Sequence, residues 1–179
     1  LDSIPDTVKG VCIDLRGNHG GNMYPMIAAV HRFLPDDIFL KFKMRRRFRS
    51  VMPINKEFVA NLVGVEIESR INCPIAILTD EETASSGEAV LLCFRGLDNV
   101  RVFGSPTAGY ASANESIILD NGSILALTVS GDIARTGEIF CDDPIIPDVE
   151  TESPEEDALL WLKDRSSAKK AENALDASK

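Results

Sequence analysis

Two runs along the chain, VCIDL at 11–15 and PIAILT at 74–79, are apolar enough to read as buried strands. Each is followed by a loop of small residues and then by a helical pattern. After the first strand, the loop RGNHGGN leads to a helix that Asn22 can cap, with Pro25 in its first turn. Met26, Ala29, Val30 and Phe33 share one face of that helix, which should end near Leu34-Pro35. After the second strand, TASSGEAVLLCFRGL (83–97) is apolar nearly all round, the pattern of a helix buried on every side. RVFG (101–104) reads as a third short strand.

The remaining segments carry weaker signals. LDSIPDTVKG reads as a loop or helix end closed by Gly10. In IFLKFKM (38–44), Ile38, Leu40, Phe42 and Met44 alternate with Phe39, Lys41 and Lys43, which predicts a strand with one drier face. A short helix is expected around 58–63. SPTAGYASANE (105–115) reads as a turn-rich loop, and ESIILD and SILALTV flank Asn121-Gly122, a hairpin signal. Ser153, Pro154 and Glu156 open a last helix whose buried stripe is Ala158, Trp161 and Leu162. The polar DRSSAKKAENALDASK is expected to fray into solvent. Strands alternating with helices imply an α/β fold with a mostly parallel sheet, right-handed crossovers and covering helices. The expected division is a core over 1–152 and a C-terminal helix and tail over 153–179.

Composition narrows the classes. With 179 residues, 44% of them hydrophobic, the chain can bury one ordinary core. A net charge of -9 argues against general affinity for nucleic acid or an anionic membrane. The basic cluster Arg45-Arg46-Arg47, with Arg49, Lys41 and Lys43 near it, reads as a solvated strand end and loop, since no aromatic stacking pattern accompanies it. The four cysteines, Cys12, Cys73, Cys93 and Cys141, lack metal or redox spacing, and three sit in or beside apolar runs as small core hydrophobes. No run approaches the roughly 18 apolar residues of a membrane span. The chain starts at Leu1, close to a core-like strand, as a fragment of a longer protein would.

The two small-residue loops are where chemistry can sit. In a parallel sheet, loops that follow strands emerge at one carboxyl edge, so GNHGGN and TASSGE can face each other. Acyl transfer needs an exposed hydroxyl, a base and backbone N–H groups aimed at the oxyanion. TASSGE can supply the hydroxyl and one N–H at the positive end of a helix, and the glycine loop a second N–H. Taken alone, a Thr/Ser cluster before an apolar helix is more often an N-cap, and DLRGNHGG could be a phosphate cradle, although it lacks the usual glycine and lysine spacing.

The order of the pieces is more specific than any one of them. IDLRGNHGGN, an apolar strand, TASSGEAV, VFGSPTAGYAS, a hairpin with a DNGS turn and finally IIPDVE resemble the catalytic domain of the tail-specific, or C-terminal-processing, serine peptidases over most of 9–150. TASSGE and GGNM are most similar to the branch that contains the nisin-resistance proteins. The resemblance implies a crotonase-like α/β core, no cofactor, and a peptide or unfolded protein as substrate, a lanthionine peptide antibiotic among the candidates. It puts the nucleophile at Ser85 and oxyanion N–H groups at Ser86 and Gly21, with Gly20 as the close alternative to Gly21. Asn22 and Met23 would line the peptide groove, next to the hairpin around 115–129, and Glu88 would support the serine loop.

Two departures from the family pattern concern the base. Lysine-dependent members have TxGK where this chain has Thr107-Ala108-Gly109-Tyr110. A tyrosine with an ordinary pKa of about 10 is a poor base near neutrality, so Tyr110 is expected to pack beside the site instead. In the other branch the base is a histidine upstream of the DLRGN strand, a position that precedes Leu1. His19 and His31 match neither place. The acidic group that some members carry before IIPDV corresponds to Asp142 or is absent here. The resemblance also implies an extracytoplasmic enzyme, anchored to a membrane only through segments outside these residues, whereas four cysteines without a pairing pattern in the sequence keep a cytoplasmic home open. Two other readings stand beside the peptidase. One is a binding module, as in the retinoid-binding repeats of this fold; the other is a crotonase-type acyl-thioester enzyme. The isolated chain is expected to hydrolyse peptides weakly or not at all. Robust hydrolysis of an unstructured peptide by the purified chain, abolished in Ser85→Ala, contradicts that expectation.

Overall fold

The computed structural model describes residues 4, 5, 7–44, 51–66 and 69–176. Arg45–Arg47 and Arg49 therefore lie outside the described residues. The apolar runs form a parallel sheet of β1 (Val11–Asp14), β4 (Ile75–Thr79), β5 (Val100–Gly104) and β9 (Val149–Glu150), in the order β1-β4-β5-β9. The inner strand β4 is buried at every position. Its alternating side chains feed two cores, as period-two geometry requires. Ile75 and Ile77 join the larger one with Ile27 of α1 (Met23–Val30) and Val90 and Phe94 of α3 (Ser86–Phe94). Ala76 and Leu78 join Phe103 and, from α4 (Pro154–Asp176), Ala158 and Leu162.

β1 is an edge strand, half-buried on one face and exposed on the other. Cys12 is consequently exposed, which corrects its reading as a core residue, whereas Cys73 and Cys93 are buried. α3 is buried along its whole length, as its all-round apolar pattern predicts. In α1 the Asn22 Oδ1 accepts the Tyr24 N–H at 3.1 Å, so the expected cap is present. The buried pair is Met23 and Ile27, and Ala29 is exposed, because a helix starting at Met23 turns the i, i+4 pair inward. The short helix expected around 58–63 is α2 (Lys56–Val63), capped by Asn55, and it meets α1 through Tyr24 and Phe58, with ring centroids 6.0 Å apart. α4 continues as helix to Asp176 instead of fraying after its buried stripe, in keeping with its alanine, lysine and glutamate content.

The hairpin belongs to a second sheet, antiparallel, of β2 (Leu40–Met44), β3 (Val51–Ile54), β6 (Ser112–Ile118), β7 (Ile124–Ala134) and β8 (Ile139–Phe140). The order is β3-β2-β7-β6, with β8 also on β7. Residues 112–115, read from sequence as loop, are strand because β7 is long enough to pair them, Ser112 lying opposite Gly131. The Gly122 N–H donates to the Leu119 carbonyl at 2.8 Å and Gly122 takes φ +80. The turn thus uses the glycine at the left-handed position of a three-residue loop. In β2, Leu40 and Phe42 are buried and Lys43 exposed as expected; Phe39 is buried and Ile38 exposed because both precede the strand. The outer half of β7 (124–127) is exposed, and its inner half enters the core beneath α3. Since β1, β4 and β5 run the same way, the loops 15–22, 80–85 and 105–111 leave the parallel sheet at one edge.

Candidate active site

The serine and glycine loops are fastened to each other before any catalytic question arises. The Asp80 carboxylate accepts N–H groups from Gly17 at 3.0 Å and Thr83 at 2.9 Å, and the Thr83 hydroxyl donates to the Leu15 carbonyl at 2.9 Å. The Ala84 N–H donates to the Asn18 carbonyl at 2.9 Å. Ser85 follows, at φ 51 and ψ -114, and it is the only non-glycine residue with positive φ among the described residues. That conformation costs about 1–3 kcal/mol and persists only where surrounding contacts impose it.

Glu88, fully buried in the first turn of α3, supplies those contacts. Its Oε2 accepts the N–H of Ser85 at 2.8 Å and of Tyr110 at 2.8 Å; its Oε1 accepts the Gly109 N–H at 2.9 Å and the Thr107 hydroxyl at 2.5 Å. Glu88 thus holds two loops through one side chain. It ties the serine turn to the TAGY loop, which the Ala108 N–H also fastens to the Thr83 carbonyl at 2.9 Å.

The glycine loop closes against this turn. A Cβ on Gly20 would lie 2.8 Å from the Ser85 Cβ, so only glycine, here at φ +99, fits. The Gly20 N–H donates to Asn18 Oδ1 at 3.0 Å. The next residue, Gly21, at φ +125, accepts the Ser86 hydroxyl on its carbonyl at 2.7 Å. The backbone N–H groups of Gly21 and Ser86 donate to no other described residue.

Ser85, Ser86, Gly21, Asn22 and Met23 line one cleft of about 490 Å³, a size that fits a peptide side chain and its backbone. Gly20 and Glu88 stand behind it. Tyr110 departs from expectation: its backbone is drawn to Glu88 while its side chain is 63% exposed and is absent from the cleft lining. The opposite wall comes from the second sheet, of which the sequence placed only the hairpin around 115–129 beside the groove: Phe42, Met52, residues 112–114, Val129, Ser130 and Asp132. The wall thus draws on β2, β3, β6 and β7, and from the hairpin that sequence pointed to it takes the end near Val129, not the outer turn. β7 carries a bulge at Val129, since Ala113 pairs with Ser130 but Asn114 with Thr128. Such a bulge re-aims neighbouring side chains.

Asp132 is 2% exposed between its cross-strand partners Phe42 and Phe140. Its Oδ1 and the hydroxyl of the buried Ser130 have no hydrogen-bond partner among the described residues. Burial, and secondarily the charge of Glu88, push its pKa up to about 7. The available sequence signal is an acid within VSGDIA, a run that otherwise enters the core. A second hollow of about 290 Å³ lies elsewhere, lined in part by Arg95 and Glu138, which pair with each other at 2.9 Å. The Ser85 cleft brings a serine side chain and two free backbone N–H groups together, and no histidine or lysine is among its lining residues.

Comparisons with known proteins agree with this geometry. A family model described as peptidase family S41 matches residues 1–151. A nisin-resistance protein of Lactococcus lactis subsp. lactis is 37% identical over 159 residues, which are 87% of this chain and 50% of that protein. The carboxy-terminal processing protease CtpA of Bacillus subtilis is 27% identical over 155 residues, 86% of this chain and 31% of that protein. The solved structure of a lipoprotein from Streptococcus agalactiae superposes with a TM-score of 0.79 at 37% identity, covering 88% of this chain and 55% of that one. The chain thus spans half or less of the length of the curated relatives it matches here. The α/β core with its parallel sheet agrees with the crotonase-like fold expected from sequence.

Asp132 makes stability depend on pH in a defined window. With its folded pKa near 7 and an ordinary value of 3.8, the folded state binds more protons than the unfolded state between those values. Stability therefore falls as pH rises from about 4 to about 7, by roughly 2–4 kcal/mol. Glu138, held down to about 2 by Arg95, acts only below its ordinary 4.5. Urea denaturation of the wild type and Asp132→Asn at pH 5 and pH 8 should show the decline in the wild type and its absence in the variant; equal declines contradict the assignment.

Proposed function

The chain belongs to peptidase family S41, and from that premise we propose that the protein is a serine peptidase whose nucleophile is Ser85. The observation that carries the reading is the strained turn at Ser85, in a cleft shared with two backbone N–H groups that other residues leave unused. Strain of this kind is maintained against its cost where it presents a reacting group, as in the strand-to-helix turns of other serine hydrolases. A ligand-binding module would have no use for it.

In this reading the Ser85 Oγ attacks the carbonyl carbon of an extended peptide while a base removes its proton. The oxyanion is received by the N–H groups of Ser86 and Gly21; the engagement of the Gly20 N–H with Asn18 supports Gly21 over Gly20. Collapse expels the amine, protonated by the same base, and water hydrolyses the acyl-enzyme. Neither His19 nor His31 lines the cleft, and Tyr110 occupies the family's lysine position. We therefore assign the base to a histidine in the portion that longer relatives have beyond this chain.

The peptide lies along Asn22 and Met23, with β6, the end strand of its sheet, available for main-chain pairing. The named activity of CtpA supports flexible or carboxy-terminal segments as substrates, and the nisin-resistance relative makes nisin the first peptide to try. The likeness to a streptococcal lipoprotein supports an extracytoplasmic setting; no described helix is long and apolar enough to cross a membrane. Full-length protein treated with a fluorophosphonate probe should carry the adduct on Ser85, located by mass spectrometry, and Ser85→Ala should carry none. Ser86→Ala, which loses the bond to the Gly21 carbonyl, should label on the order of 10-fold more slowly. A folded protein that takes no label, or takes it elsewhere, overturns the reading.

A further inference from the structure

The Ser85 cleft has one chemical feature that acyl transfer does not use. Its walls near Met23, Phe42, Met52 and Val129 are apolar, yet its lining also includes two polar residues, Asp132 and Ser130. Both residues are at least 98% buried, and each has an oxygen without a partner among the described residues. A buried carboxyl in that state is costly, and the cost is offset when a bound group donates to it. The occupant must therefore bring an apolar stem to the walls and hydrogen-bond donors to the end. A lysine side chain has that form: four methylenes, then a compact ammonium with three donors.

We propose that this part of the cleft is a specificity pocket for a lysine side chain of the peptide substrate, its ammonium received by Asp132 and Ser130. The inference rests on the peptidase reading, because a side chain reaches the pocket as part of a peptide lying across Ser85. Phe42 and Met23 pack the stem, and the bulge at Val129 brings Ser130 into the lining beside Asp132. An ammonium beside the carboxylate also favours its charged form against the desolvation that otherwise raises its pKa.

The test uses the full-length protein carrying Ser85→Ala, so that peptides are bound and not consumed. Two otherwise identical eight-residue Gly/Ala/Ser peptides, one with a central lysine and one with norleucine, are titrated by calorimetry at 150 mM salt, which suppresses general attraction to the acidic surface. The lysine peptide should bind 10- to 100-fold more tightly. Asp132→Asn should reduce that preference to less than 3-fold, and Ser130→Ala, which keeps the carboxylate, should reduce it partially. Equal affinity for the two peptides overturns the proposal, and so does a lysine preference that survives Asp132→Asn. In the Ser85-containing protein, an equal loss of turnover on lysine and norleucine substrates in Asp132→Asn would make Asp132 part of the reacting machinery and also overturn it. Ser85-dependent hydrolysis without lysine preference removes the pocket and leaves the peptidase reading; lysine preference without Ser85-dependent labelling does the reverse.

Discussion

The site depends on one buried carboxylate. Glu88 accepts four hydrogen bonds, and their donors come from two separate loops, the serine turn and the TAGY segment. Hydrogen bonds to a charged group contribute about 1.5–3 kcal/mol each, so the set outweighs the roughly 1–3 kcal/mol of strain at Ser85. The cluster also accounts for the placement of Tyr110. Its backbone N–H is held by Glu88 while its ring lies exposed outside the cleft, so the TAGY segment serves here as part of the scaffold.

From that anchor the rest of the geometry follows by close approach. The serine turn can meet the glycine loop only because Gly20 has no Cβ, and the meeting leaves the Gly21 and Ser86 amides beside the Ser85 cleft. The second sheet then supplies the far wall. Its inner strands run under α3 and bring Asp132 into the field of Glu88, so the carboxylate that steadies the serine turn also helps raise the pKa of the acid across the cleft. Scaffold and pocket are electrostatically linked through that pair.

How much of this could be read from the chain depends on whether the signal was local. PIAILT and the helix after TASSGE are unambiguous because burial on all sides leaves continuous apolar runs, and the loops between strand and helix follow from chain direction. The ordered motifs single out Ser85 in the sequence, but its positive φ becomes visible only in the structure. The second sheet was not legible as a sheet. Its paired strands β2 and β7 lie about 80 residues apart in the chain and meet through backbone groups that carry no residue code, so only the hairpin stands out. The exposure of Cys12 was hidden for a related reason, since an edge strand and a central strand can share a composition. Asp132 was overlooked because a single acid in a mixed run resembles an ordinary surface residue until the pairing register turns it inward.

The central claim is that Glu88 imposes the serine turn. Amide hydrogen exchange measured by NMR on the wild type and Glu88→Gln tests it directly, because glutamine replaces one acceptor oxygen with a donor. The account predicts slow exchange at Ser85, Gly109 and Tyr110 in the wild type and at least 10-fold faster exchange at all three in the variant, with β4 amides unchanged. Wild-type exchange rates at Ser85 in Glu88→Gln would contradict it.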